Sequence, residues 1–139
     1  MRVLGLDVGD KRIGVAISDP EQIIARPLAV IQRNDDKSAI DAISRLVEQY
    51  NVKLIIVGLP YSLDGSLGQQ ADKVKNFIEI LSRSITAKIE FRDERLSTIA
   101  AQRLLSEAGN KRSGKSARDA AAAAFILQGY LDSLKVGDR

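Results

Sequence analysis

The chain has 139 residues, a net charge of +3 and neither histidine nor cysteine. That length fits one domain, residues 1–139, able to bury a core without covalent staples. The missing residue types exclude disulfides, thiolate nucleophiles, histidine bases and any metal site ligated by Cys or His. Chemistry is left to carboxylates, lysines, hydroxyls, backbone and oxygen-bound cations. The charge permits a polyanionic partner without demanding one. No apolar run is long enough to span a bilayer and no charged leader precedes one, so the expectation is a soluble, cytoplasmic protein with no membrane partner.

Val3 to Val8 reads as an apolar strand carrying one acid, Asp7. A glycine turn leads to a second apolar strand, Ile13 to Ile17, and after Asp19-Pro20 a short third strand is predicted over Leu28–Ile31. Strands joined this closely are antiparallel neighbours. Ile40, Ile43, Val47 and Tyr50 recur at helical spacing and predict a helix from Asp36 to Tyr50. Lys53–Val57 is a compact apolar run, read as a buried central strand.

Residues 58–70 form a connection rich in glycine and hydroxyls, where Ser62, Ser66 and Gln69 are candidate donors to phosphate and loop turns are the alternative. A helix over Gln69–Arg83 and a fifth strand over Ala87–Phe91 come next. Ser97 is a good cap for a helix bearing Ala101, Leu104, Leu105 and Ala108. A polar, basic loop follows over residues 110–118. The last helix, Ser116 to about Leu134, opens with Asp119 and five alanines; its small residues suit close packing on a sheet, and its mostly apolar circumference predicts packing on two sides. The order predicts an α/β fold: a mixed five-stranded sheet with helices on both faces.

Asp7 is the residue most in need of an explanation, because a carboxylate within a buried strand is costly unless paired or bound to a cation. Pairing with Lys11, Arg12 or a backbone turn is the plain alternative. Asp93-Glu94 reads first as a solvated strand end, with joining Asp7 as the alternative, and Asp119 fits a capping box with Ser116 better than a ligand set. Were these acids to converge, they would repel one another unless protons or divalent cations sat among them. All-oxygen coordination suits Mg²⁺ or Mn²⁺. Two such ions roughly 4 Å apart activate a water and stabilise the leaving oxygen of a phosphodiester without a protein base. Lys111, Arg112, Lys115 and Arg118 beside Gly114 either hold a phosphate backbone near the acids or form a solvated loop.

The segments Asp7-Val-Gly-Asp-Lys-Arg-Ile-Gly-Val-Ala16, Val57-Gly-Leu-Pro60 with Asp64-Gly65, Asp93-Glu-Arg-Leu-Ser-Thr98, and Asp119 with Ile126-Leu-Gln-Gly-Tyr-Leu131 resemble the YqgF family. Its members are described as pre-16S ribosomal RNA nucleases and as Holliday-junction-resolvase-like proteins. The resemblance implies a ribonuclease-H-like fold. Asp7 is then the first-strand acid, Glu94 rather than Asp93 the acid beyond the fifth strand, and Asp119 the acid of the final helix. One departure is visible: the family usually has threonine where this chain has Asp10.

Together these readings point to a metal-dependent nuclease for structured nucleic acid, pre-ribosomal RNA first and branched DNA as the alternative. Asp7, Glu94 and Asp119 would share two Mg²⁺ or Mn²⁺ ions; Lys11, Arg12, Arg95, Lys111, Arg112 and Lys115 would contact phosphates. A homodimer is compatible with this reading. A non-catalytic RNA-binding module in ribosome assembly is a rival, as is a nucleotide-binding protein, since the Asp-x-Gly turn also resembles that of sugar kinases and actin. A protein of that second kind needs a further domain for which the chain is too short.

Overall fold

The computed structural model describes residues 1–59, 69–93 and 114–137. Strands β1 (Val3–Val8), β2 (Arg12–Ser18), β3 (Ala25–Gln32), β4 (Leu54–Leu59) and β5 (Lys88–Asp93) make one five-stranded sheet in the order β3-β2-β1-β4-β5. The helices are α1 (Asp36–Gln49), α2 (Gln69–Ser82) and α3 (Gly114–Gly137). The tight links after β1 and β2 force an antiparallel meander, whereas β4 and β5, each reached after a helix, pair in parallel. The sheet is therefore mixed, as its sequence order predicts.

Alternation sorts the side chains of each strand onto two faces. Leu4, Leu6 and Val8 of β1, with Ile13, Val15, Ile55 and Val57, pack under α1 and α2 against Ile40, Ile43, Val74, Phe77 and Leu81. Val3 of β1, with Ala16, Leu54 and Ile56, packs under α3 against Ala123, Ile126, Leu127 and Leu131. Helices thus cover both faces. Fully burying aliphatic side chains of this size contributes about 1.5–3 kcal/mol each, which makes these two layers the main source of cohesion.

Helix α1 starts where Asp35 accepts the amide of Ser38 at 2.7 Å, an N-cap bond. It stops at Tyr50, and Asn51 turns the chain away with a left-handed φ of 52°. Two strands are longer than their apolar patterns indicate. β3 begins at Ala25, because Arg26 and Pro27 lie exposed on the sheet edge, where a missing N–H costs no ladder bond. β5 continues through Arg92 and Asp93, whose charges are tolerated on the opposite edge.

The helix predicted from Ser97, most of the 58–70 connection and the greater part of the basic loop lie outside the described residues. Among the described residues no helix is long and apolar enough to cross a membrane.

Candidate metal centre

Asp7 is the one residue of β1 that is not buried. It lies one residue from the carboxyl end of the central strand, so the desolvation cost expected for a fully buried acid is reduced by partial exposure. Its cross-strand partner is Gly14 of β2. Opposed residues of an antiparallel pair share a face, and for this pair it is the α3 face.

Gly14 explains how Asp119 reaches the same place. A Cβ at Gly14 would collide with the carbonyl group of Asp119, so the bare backbone of β2 is what lets α3 start directly on the sheet there. One turn on, a Cβ at Gly5 would meet Leu127 Cβ at 2.8 Å and the Ala123 carbonyl oxygen at 3.0 Å. The two glycines flank Asp7 on its own face, and α3 packs over both, mainly against β2. Asp119 is thereby set over the residue that pairs with Asp7.

Asp119 is not a capping residue. α3 begins at Gly114, so Ser116 is inside the helix and Asp119 stands in its second turn, which rules out the capping box. α3 buries Ala120, Ala123, Ile126, Leu127 and Leu131 on the sheet, while Ala121, Ala122, Ala124, Phe125 and Tyr130 remain partly exposed among the described residues.

Arg12 reaches Asp119 from the start of β2. Two residues before Gly14 it shares that residue's face, and its Nε donates to Oδ2 of Asp119 at 2.7 Å, with the two side chains 26% and 27% exposed. This ion pair ties the start of β2 to α3. Lys11 is exposed at the tip of the same turn.

The turn itself is held by a residue to which the sequence drew no attention. Arg33, just beyond β3, donates from its guanidinium to the Gly9 carbonyl at 2.8 Å and from its Nε to Asp36 at 2.9 Å. Its backbone amide donates to the Lys11 carbonyl at 2.9 Å, and its guanidinium lies 4.6 Å from the centre of the Phe77 ring. Inside the turn, the Gly9 amide donates to the Arg12 carbonyl at 2.9 Å. Arg33 in Gln32-Arg33-Asn34-Asp35 looks like any solvated charge in a linker, and its partners are distant in sequence.

Asp10 turns away from the α3 face. It lines a cleft of about 410 Å³ with Arg33, Asp36, Lys73 and Phe77, and Lys73 Nζ lies 4.0 Å from its carboxylate, with both side chains more than half exposed. Asp93 pairs in register with Leu59, which belongs to the α1/α2 core, so its side chain is on the face opposite Asp7. Glu94, Arg95, Lys111 and Arg112 lie outside the described residues, and Lys115 belongs to the first turn of α3.

Among the described residues no three carboxylates gather into one ligand set. Asp7 and Asp119 supply only oxygen donors, which fits a hard divalent cation and no soft one. The guanidinium already seated on Asp119 shows that this spot draws positive charge. The donor chemistry of the two residues fits such an ion.

The chain matches the family described as "RuvX: Holliday junction resolvase" over residues 1–133. It is 49% identical over 126 residues to a protein of Dehalococcoides mccartyi, covering 90% of this chain and 93% of that one, and 46% identical over 135 residues to one of Clostridium novyi, covering 96% and 100%. Both carry the name "Putative pre-16S rRNA nuclease". Among solved structures, T. thermophilus RuvC in complex with a Holliday junction substrate superposes with a TM-score of 0.65 at 14% identity, covering 98% of this chain and 96% of that one. Fowlpox virus resolvase with Holliday junction DNA gives 0.58 at 18%, covering 96% and 99%. At those identities the likeness concerns the fold, which is the ribonuclease-H-like sheet and helices of these resolvases. The match along nearly its whole length and the identity to curated relatives place the chain in the RuvX (YqgF) family.

Proposed function

We propose that this chain is a divalent-metal-dependent nuclease, formed as one domain over residues 1–139, that processes the 5′ end of pre-16S ribosomal RNA in the cytoplasm. The observation that carries the reading is the seating of Asp119 on Gly14, directly across from Asp7, with Arg12 between the strand and the helix. The relatives that share almost half of its residues are named for pre-16S rRNA, whereas the junction-bound neighbours share 14% and 18%. That difference favours RNA over branched DNA.

Asp7 and Asp119 would hold Mg²⁺ or Mn²⁺, with Glu94 as the third acid, since Asp93 is on the other face. When bound, two such ions supply Lewis acidity and a water acidic enough to attack near neutral pH. The chain's own part is placement. Asp7 is fixed by its pairing with Gly14 of β2, and Asp119 by a helix packed on glycine, so the carboxylates stay put as charge develops. Arg12 and Lys11 on the turn, with Arg95, Lys111, Arg112 and Lys115, would take the phosphates flanking the scissile bond.

The test is side-by-side digestion of a pre-ribosomal RNA fragment spanning the 16S 5′ end and a four-way DNA junction, each with Mg²⁺, Mn²⁺ or EDTA. RNA cleavage with either cation, absent in EDTA and absent for Asp7→Asn, is the expected result. Junction cutting with intact RNA would make the protein a resolvase. Tight RNA binding without cutting under any condition would make it a non-catalytic assembly factor.

A further inference from the structure

Arg12 stands in an unusual relation to the proposed centre. It is a cation placed directly on an acid that a divalent ion is to occupy, and the contact is a short charge-assisted bond from Nε to one carboxylate oxygen. A second positive charge on the same carboxylate would lie within a few ångströms of the guanidinium. Repulsion at that separation is substantial even where solvent screens it.

Arg12 is also built to move. Its backbone is fixed in β2, and its carbonyl is held by the Gly9 amide inside the turn that Arg33 clamps. Its side chain is about one quarter exposed, so the guanidinium already has access to solvent on leaving Asp119. A guanidinium so released is a planar fork suited to a phosphodiester oxygen pair. The turn that carries it also carries Lys11, which is exposed.

We propose that Arg12 is the built-in counter-ion of Asp119: it competes with the divalent cation for that carboxylate and transfers to a substrate phosphate when nucleic acid arrives. Cation and substrate then favour each other's binding, because the phosphate removes the charge that opposes the metal, and linkage makes the effect reciprocal. The inference rests on the metal-dependent reading of Asp7 and Asp119 and adds to it a residue that sets when the site loads.

The test uses the full chain with Mn²⁺ alone and with an RNA hairpin alone. Mn²⁺ binding is followed by the loss of the free-ion electron paramagnetic resonance signal for the wild type, Arg12→Gln and Arg12→Lys. RNA binding is followed by fluorescence anisotropy in EDTA over a salt series. Arg12→Gln is expected to bind Mn²⁺ about tenfold tighter than the wild type, within the usual range of coupling between sites. It is expected to bind RNA more weakly, with the salt slope reduced by about 1. Arg12→Lys, which keeps the charge and loses the fork, is expected to stay near the wild type in Mn²⁺ affinity and in the RNA salt slope.

A purely structural Arg12 gives the opposite sign, since Asp119 would be mispositioned and Arg12→Gln would bind Mn²⁺ more weakly. That result overturns the proposal, as does an unchanged RNA salt slope. Equal Mn²⁺ affinity in all three proteins overturns this inference alone. Failure of all three to bind Mn²⁺ overturns the metal reading and the inference together.

Discussion

At the scale of single residues, the site depends on which side chains share the α3 face. Asp7 is legible in the sequence because one acid in an apolar strand calls for an explanation, and the strand's alternation then fixes its face. Asp119 is only half legible: its spacing from Ser116 imitates a cap, and the close seating of α3 on Gly14 is a tertiary fact that no local pattern carries. Arg33 is not legible at all, since its roles come from Gly9, Asp36 and Phe77 meeting in space. Asp7→Asn is isosteric and partly exposed, so it is expected to keep the wild-type unfolding midpoint. It should lower cation-dependent cleavage by more than the about 10- to 100-fold typical of outer-shell partners. Arg33→Met loses two side-chain hydrogen bonds and a ring contact. It is expected to cost about 2–3 kcal/mol in urea unfolding, and an unchanged midpoint would show that the turn does not need it.

Elements add a second layer of control, because α3 positions Asp119 only if it lies tight on the sheet. Gly14→Ala places a methyl group against the Asp119 carbonyl. A backbone obstacle cannot rotate away, so the helix start must lift, at about 1–3 kcal/mol by the usual cost of overpacking. Cleavage should fall with it while the circular dichroism spectrum stays helical; full activity would show that Asp119 tolerates displacement. The element ends also set the acid response. Amide donors hold two carboxyls below their ordinary value of 3.8: those of Ile24 and Ile23 act on Asp19, and that of Ser38 on Asp35. A carboxyl more acidic in the folded than in the unfolded chain stabilises above the unfolded value, and this contribution disappears as pH falls through the folded value. Asp35→Ala is therefore expected to lower the thermal midpoint at pH 6 and to converge with the wild type near pH 2, as seen in melts across that range.

For the whole molecule, the mixed five-stranded sheet was readable because a tight meander followed by helical crossovers joins antiparallel to parallel pairing. Strand ends were less so: Arg26 and Pro27 in β3, and Arg92 and Asp93 in β5, are polar or ladder-breaking residues that only an edge position tolerates. Charge acts at this scale as well. With a net +3 and no broad excess of base, nucleic-acid affinity has to come from a few placed cations. If Lys11, Arg12, Arg95, Lys111, Arg112 and Lys115 all engage phosphates, the logarithm of RNA affinity should fall with the logarithm of salt at a slope of about −4 to −5. A slope near zero in the anisotropy series would dismiss the phosphate assignments.

The centre itself is tested most directly by a crystal structure of the full chain grown with Mn²⁺ and read by anomalous scattering. The expected result is Mn²⁺ about 2.1 Å from carboxylate oxygens of both Asp7 and Asp119. Mn²⁺ ordered only elsewhere on the molecule, touching neither carboxylate, would contradict it.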